Sequence, residues 1–76
     1  MRPLGRIDSK RFERYLIAIG CRFVSQESSH RKFKKEGILR PIIVPFTDDL
    51  PDFIILNNLR TLGVKREDFI RIIRKL

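Results

Sequence analysis

A single cysteine, Cys21, excludes an intramolecular disulfide, and a single histidine, His30, leaves no Cys/His cluster from which a zinc site could be built. Neither a metal nor a cofactor is expected. Long apolar runs are also missing: no stretch approaches the ~20 apolar residues of a membrane span, and Met1-Arg2-Pro3-Leu4-Gly5-Arg6 has no signal-peptide core. A cytoplasmic address with no membrane partner is the expectation. Acidic residues are scarce beside basic ones, nine against seventeen, which gives a net charge of +8 at pH 7. So dense a positive field on so small a surface points to polyanions, with nucleic acid first and an acidic protein or an anionic membrane behind it. Charge does not choose between RNA and DNA.

Apolar side chains are present in sufficient number for one core. They make up 42% of 76 residues and include six phenylalanines, too many for a disordered chain even at 34% charged content. One domain spanning residues 1–76 is expected, with 1–6 as a flexible N-terminus. Asp8 or Ser9 can cap a helix whose apolar positions Phe12, Tyr15, Leu16 and Ile19 fall at helical spacing, and Gly20 stands where a left-handed C-terminal cap belongs. Cys21 to Gln26 alternates as a strand, Glu27-Ser28-Ser29 reads as a turn, and a second strand runs from about His30 to Lys35. After a turn at Glu36-Gly37, Ile38 to Val44 is β-branched enough for a third strand. Pro41 makes that strand partly an edge or delays its start, and Pro45 ends it.

Asp48-Asp49-Leu50-Pro51-Asp52 is a loop followed by a helix start, with Ile55, Leu56, Leu59 and Leu62 on one face and Gly63 at the end. Phe69, Ile72, Ile73 and Leu76 place a last helix that begins, poorly capped, near Lys65. The fold class is therefore α+β in the order α-β-β-β-α-α, a three-stranded antiparallel sheet with helices on one face and the other face open to a ligand. Phe12, Phe23, Phe33 and Phe69 are assigned to the core, as is Cys21. Phe46, after Pro45, is the one phenylalanine that could stack on a base.

Alternation along the second strand puts His30, Lys32 and Lys34 on one face and Arg31, Phe33 and Lys35 on the other. Phe33 is the only apolar side chain of that strand, so its face turns to the core and His30 projects outward beside two lysines. Neighbouring cations lower a histidine pKa and favour the neutral base. Metal-free cleavage of an RNA phosphodiester needs such a group near the ribose 2′-hydroxyl, with positive charge to stabilise the phosphate. Arg31, Lys32, Lys34 and Lys35 can track phosphates, and Ser29 can donate to one or simply form the turn. Taken alone, a lone histidine in a basic domain is more often idle than catalytic.

The chain resembles the HicA family of toxin endoribonucleases over about residues 7–76. Ile19-Gly20-Cys21-Arg22-Phe23 is similar to the family's leucine-glycine-phenylalanine helix end, and Ser28-Ser29-His30-Arg31-Lys32-Phe33 to its Gly-Ser-His motif with the aromatic that follows. Ile42-Ile43-Val44-Pro45-Phe46 resembles the valine-proline exit from the third strand. Leu50-Pro51, leading into Leu59-Arg60-Thr61-Leu62-Gly63-Val64-Lys65-Arg66-Glu67-Asp68-Phe69, resembles the final helix, glycine and acidic-phenylalanine tail. The resemblance implies a double-stranded-RNA-binding-domain-like fold, metal-independent cleavage of mRNA through the motif histidine, here His30, and neutralisation by a HicB-type antitoxin. This sequence departs from the pattern twice. Ser28 replaces the usual glycine, and Phe46-Thr47-Asp48-Asp49 replaces a segment in which many members carry a basic residue or a histidine. A non-catalytic RNA-binding module on the same fold, or a basic protein-interaction domain, are the alternative expectations.

Overall fold

The computed structural model describes residues 4–76. Among them, Asp8 caps the first helix, α1 (Ser9–Ala18), its carboxylate accepting from the Arg11 N–H at 2.7 Å. Phe12, Tyr15 and Leu16 lie on the buried stripe of α1, and Ile19 is partly buried. The chain then reverses: Gly20 takes a φ of +99°, its N–H bonds the Ile17 carbonyl at 3.1 Å, and the Cys21 N–H bonds the Leu16 carbonyl at 2.9 Å. That pair of bonds is the Schellman arrangement, in which glycine accepts the left-handed backbone without strain. Cys21 is left buried in the core, as expected.

Strands β1 (Arg22–Glu27), β2 (His30–Lys34) and β3 (Ile42–Pro45) form one antiparallel sheet in the order β1-β2-β3. Two details differ from the expected hairpin. Glu27 belongs to β1 and pairs with His30, so the loop is only Ser28-Ser29, and Ser28 has a φ of +54°. A positive φ at the first residue of a two-residue loop suits the right-handed twist of the flanking strands. A β-bulge between Phe23 and Ser25 adds Val24 to β1 and shifts the register by one. The third strand begins after Pro41, one of the two options left open, and includes Pro45 rather than stopping before it. The Phe46 N–H bonds the Ser29 carbonyl at 2.7 Å, so alternation puts the Pro45 nitrogen on the outer edge, where no ladder bond is lost. The outward carbonyl of Ile43 is met by Asn58 Nδ2 at 3.1 Å.

Helix α2 (Asp52–Leu62) starts after Pro51 and ends at Gly63, which has a left-handed φ of +72°. Helix α3 (Arg66–Ile73) starts after Lys65 with no side-chain cap among the described residues, although Glu67 and Asp68 in its first turn suit the helix dipole. The helices cover the face of the sheet that carries Phe33, Ile42 and Val44, all buried. Tyr15 and Phe69 meet edge to face at 4.7 Å between ring centres, and Phe12 touches both rings. Arg11 ties α1 to the end of α3 through a 2.9 Å bond to the Ile73 carbonyl. Of the expected N-terminal tail, Leu4 packs against the core and Arg6 pairs with Asp48 at 3.2 Å. Residues 1–3 lie outside the described residues. Phe23 corrects the expected core: it sits on the helix-side face but at the outer strand, 45% exposed, because α1 covers it only in part.

Candidate functional site on the open face of the sheet

Strand register decides which side chains share the uncovered face. Lys32 is opposite Ile43 and Ser25, His30 is opposite Pro45 and Glu27, and Lys34 is opposite Arg22. Paired residues project to the same side, so these eight form the open face. At its centre Ser25, Glu27, His30, Lys32 and Ile43 line a shallow hollow of about 180 Å³. Enclosing sites for small molecules run to about 300–1,000 Å³. The hollow therefore has room for one group of a ligand that lies across the sheet.

The side chains singled out in the sequence do not all gather there. His30 and Lys32 line the hollow, and Lys34 continues the same face. Ser29 occupies the hairpin loop, where its carbonyl accepts from Phe46. Arg31 points to the other face. Its Nε bonds both carboxylate oxygens of Glu13 at 3.0 and 2.9 Å, one of its terminal nitrogens bonds Gln26 at 2.9 Å, and its guanidinium sits 4.3 Å from the centre of the Phe23 ring. Lys35 follows β2 and lies against the end of α1 beside Gly20 and Cys21. Phe46, 63% exposed, stands on the helix side near Lys10, Gln26 and Arg31.

The sequence treated the surroundings of His30 as purely cationic, and Glu27 corrects that. A three-residue turn over Glu27-Ser28-Ser29 leaves this carboxylate out of the face; the two-residue loop of the structure puts it in. A two-residue loop, the commonest hairpin connection, would have made Glu27 and His30 a cross-strand pair from the sequence alone. Ser25 and Ile43 carry no such signal in the sequence, since the bulge at Val24 and the start of β3 set their facing.

Away from the hollow, burial pushes the Cys21 thiol above its ordinary pKa, with Lys35 opposing the shift. Burial also raises the Tyr15 phenol, helped by Cys21 and Asp68. Among the described residues no group of three or more His, Cys, Asp or Glu could hold a metal ion, and no helix is long and apolar enough to cross a membrane.

The family model described as the HicA toxin of bacterial toxin–antitoxin matches residues 9–64, from the start of α1 to just beyond Gly63. No curated protein matches the chain.

Proposed function

Because the chain belongs to the HicA toxin family, we propose that it is an endoribonuclease of the cytoplasm that cuts mRNA on the open face of its sheet, with His30 as the catalytic group and a HicB-type antitoxin as its partner. One observation carries this reading: His30 and Lys32 stand together in a hollow at the centre of the uncovered face. RNA can cut itself when its 2′-hydroxyl attacks the adjacent phosphorus. The site must then move protons and stabilise negative charge on the phosphate. His30 moves a proton at the 2′-oxygen or at the leaving oxygen. Lys32 and Lys34 face the same way and neutralise the phosphate. Ser29, in the loop before His30, donates to a neighbouring phosphate, and Lys35 adds charge at the far end of β2. Arg31, held by Glu13 and Gln26 on the helix side of the sheet, supports the hairpin from behind the hollow, and its remaining N–H groups serve RNA that continues past the edge of the sheet.

The test is cleavage of RNA in chelator by the wild type and by His30→Ala. The variant is expected to bind RNA as before and to cut it about 10²–10⁴-fold more slowly, the range for loss of a proton-transfer group. Undiminished cutting by the variant would remove His30 from the chemistry. A wild-type protein that binds RNA without cutting it would make the domain a binding module.

A further inference from the structure

Cleavage at a 2′-hydroxyl moves two protons, one off the attacking oxygen and one onto the leaving oxygen, and His30 supplies a single imidazole. We infer that Glu27 is the second catalytic residue of the hollow, the base that takes the 2′-hydroxyl proton while His30, as imidazolium, protonates the leaving oxygen. This rests on the RNA-cleaving reading above.

The hairpin places the two groups. Glu27 and His30 are register partners that close the Ser28-Ser29 loop, and both line the hollow. Directly opposed residues of antiparallel strands have Cα atoms about 4.5–5.5 Å apart, so their side chains can flank one phosphodiester. Both side chains are exposed, and among the described residues neither is hydrogen-bonded or ion-paired, to the other or elsewhere. Both are thus free for a ligand. The other groups of the hollow cannot share the work: Ile43 has no exchangeable proton, and a serine hydroxyl or a lysine ammonium exchanges poorly near neutrality. A carboxylate is already deprotonated at neutral pH and suits the base; an imidazole can carry the proton to be given up.

The charged groups that face the pair are Lys32 within the hollow and Lys34 and Arg22 further along the same face; β3 contributes only Ile43 and Pro45. In the step itself the 2′-hydroxyl proton passes to a Glu27 oxygen and the O2′–P bond forms. The P–O5′ bond breaks as the His30 proton passes to O5′, leaving a 2′,3′-cyclic phosphate and a 5′-hydroxyl. Lys32 holds the non-bridging oxygens, and exchange with water resets both groups.

The experiment uses two oligoribonucleotides, one with an ordinary linkage that the wild type cuts and one with sulfur in place of the bridging 5′-oxygen at that position. A thiolate leaves without being protonated. Glu27→Gln is expected to bind RNA at least as tightly as wild type, having lost a negative charge, and to cut both linkages about 10²–10⁴-fold more slowly. His30→Ala should be as slow on oxygen but recover to within roughly tenfold of wild type on sulfur. With the wild type, sulfur should abolish the alkaline fall in rate and keep the acid one, a result that needs no variant to fold. Wild-type rates from Glu27→Gln, recovery of that variant on sulfur, or a wild-type rate that does not fall in acid would each overturn the role of Glu27. His30→Ala cutting the oxygen linkage at the wild-type rate would overturn the parent reading instead.

Discussion

Ser28 holds a backbone φ of +54° that non-glycine residues adopt at a cost of roughly 1–2 kcal/mol. The position is the one where the related motif has glycine, so the sequence departure and the strained angle are the same fact. Ser28→Gly is expected to raise stability in urea by about 1 kcal/mol, reduced by the greater freedom of glycine in the unfolded chain, while Ser28→Val should lower it. The carbonyl of residue 28, which accepts from Gln26 at 3.0 Å, is kept in either variant. Tyr15 and Cys21 govern a different property. Both are buried, and burial raises both above their ordinary values of 10.0 and 9.0. The unfolded chain therefore loses these protons at lower pH than the folded one, so their contribution to stability is intact below pH 9 and falls as pH climbs through the raised values. Chemical denaturation from pH 8 to 11 should show that fall, and the double variant Tyr15→Phe, Cys21→Ala should flatten it. An unchanged slope would refute the linkage. Tyr15→Phe alone should cost little at neutral pH, because among the described residues the buried Tyr15 hydroxyl has no hydrogen-bond partner to lose.

At the scale of elements, the helices were legible because each signal is local. Phe12, Tyr15 and Leu16 at helical spacing, Asp8 before them and Gly20 after them specify α1 without reference to the rest of the chain. The bulge at Val24 has no such signature, since Arg22-Phe23-Val24-Ser25 alternates no more clearly with it than without it. The pattern alone therefore points Phe23 to the core, whereas it belongs to an outer strand that α1 covers incompletely. Its ring is used instead as a platform for Arg31, which connects β2 to α1 through Glu13, with side chains 30% and 17% exposed. A partly buried pair of this kind, one N–H shared between two carboxylate oxygens, is worth more than a solvated one. A double-mutant cycle over Glu13→Ala and Arg31→Ala is expected to give an interaction energy of about 1–2 kcal/mol. A value near zero would mean that the pair contributes no more than an ordinary surface pair. The same cycle separates support from phosphate binding, because Glu13→Ala leaves every cation in place. If Arg31 acts on RNA through the hairpin, Glu13→Ala should slow cleavage; if it acts by charge alone, cleavage should be unaffected.

Over the whole molecule, the net charge of +8 favours a polyanion without saying where one would lie; the sheet limits that. Helices occupy one face, and the other carries Lys32 and Lys34 in a row from His30, with Arg22 beside Lys34. That arrangement was readable from alternation in β2, whereas the contribution of β1 and β3 to the face depended on pairings that no single segment encodes. An RNA strand bound there displaces counterions, so the logarithm of its affinity should fall linearly with the logarithm of salt concentration, by about 0.7 per phosphate neutralised on single-stranded RNA. Replacing Lys32 and Lys34 together by alanine removes two such contacts and should make the slope shallower by about 1.4. Lys65→Ala with Lys75→Ala removes the same charge outside the sheet, near the start and beyond the end of α3, and should leave the slope nearly as it was. Equal effects from the two pairs would mean that RNA responds to net charge and not to this face. A selective effect of the first pair would place the phosphates beside His30, where the proposed cleavage requires them.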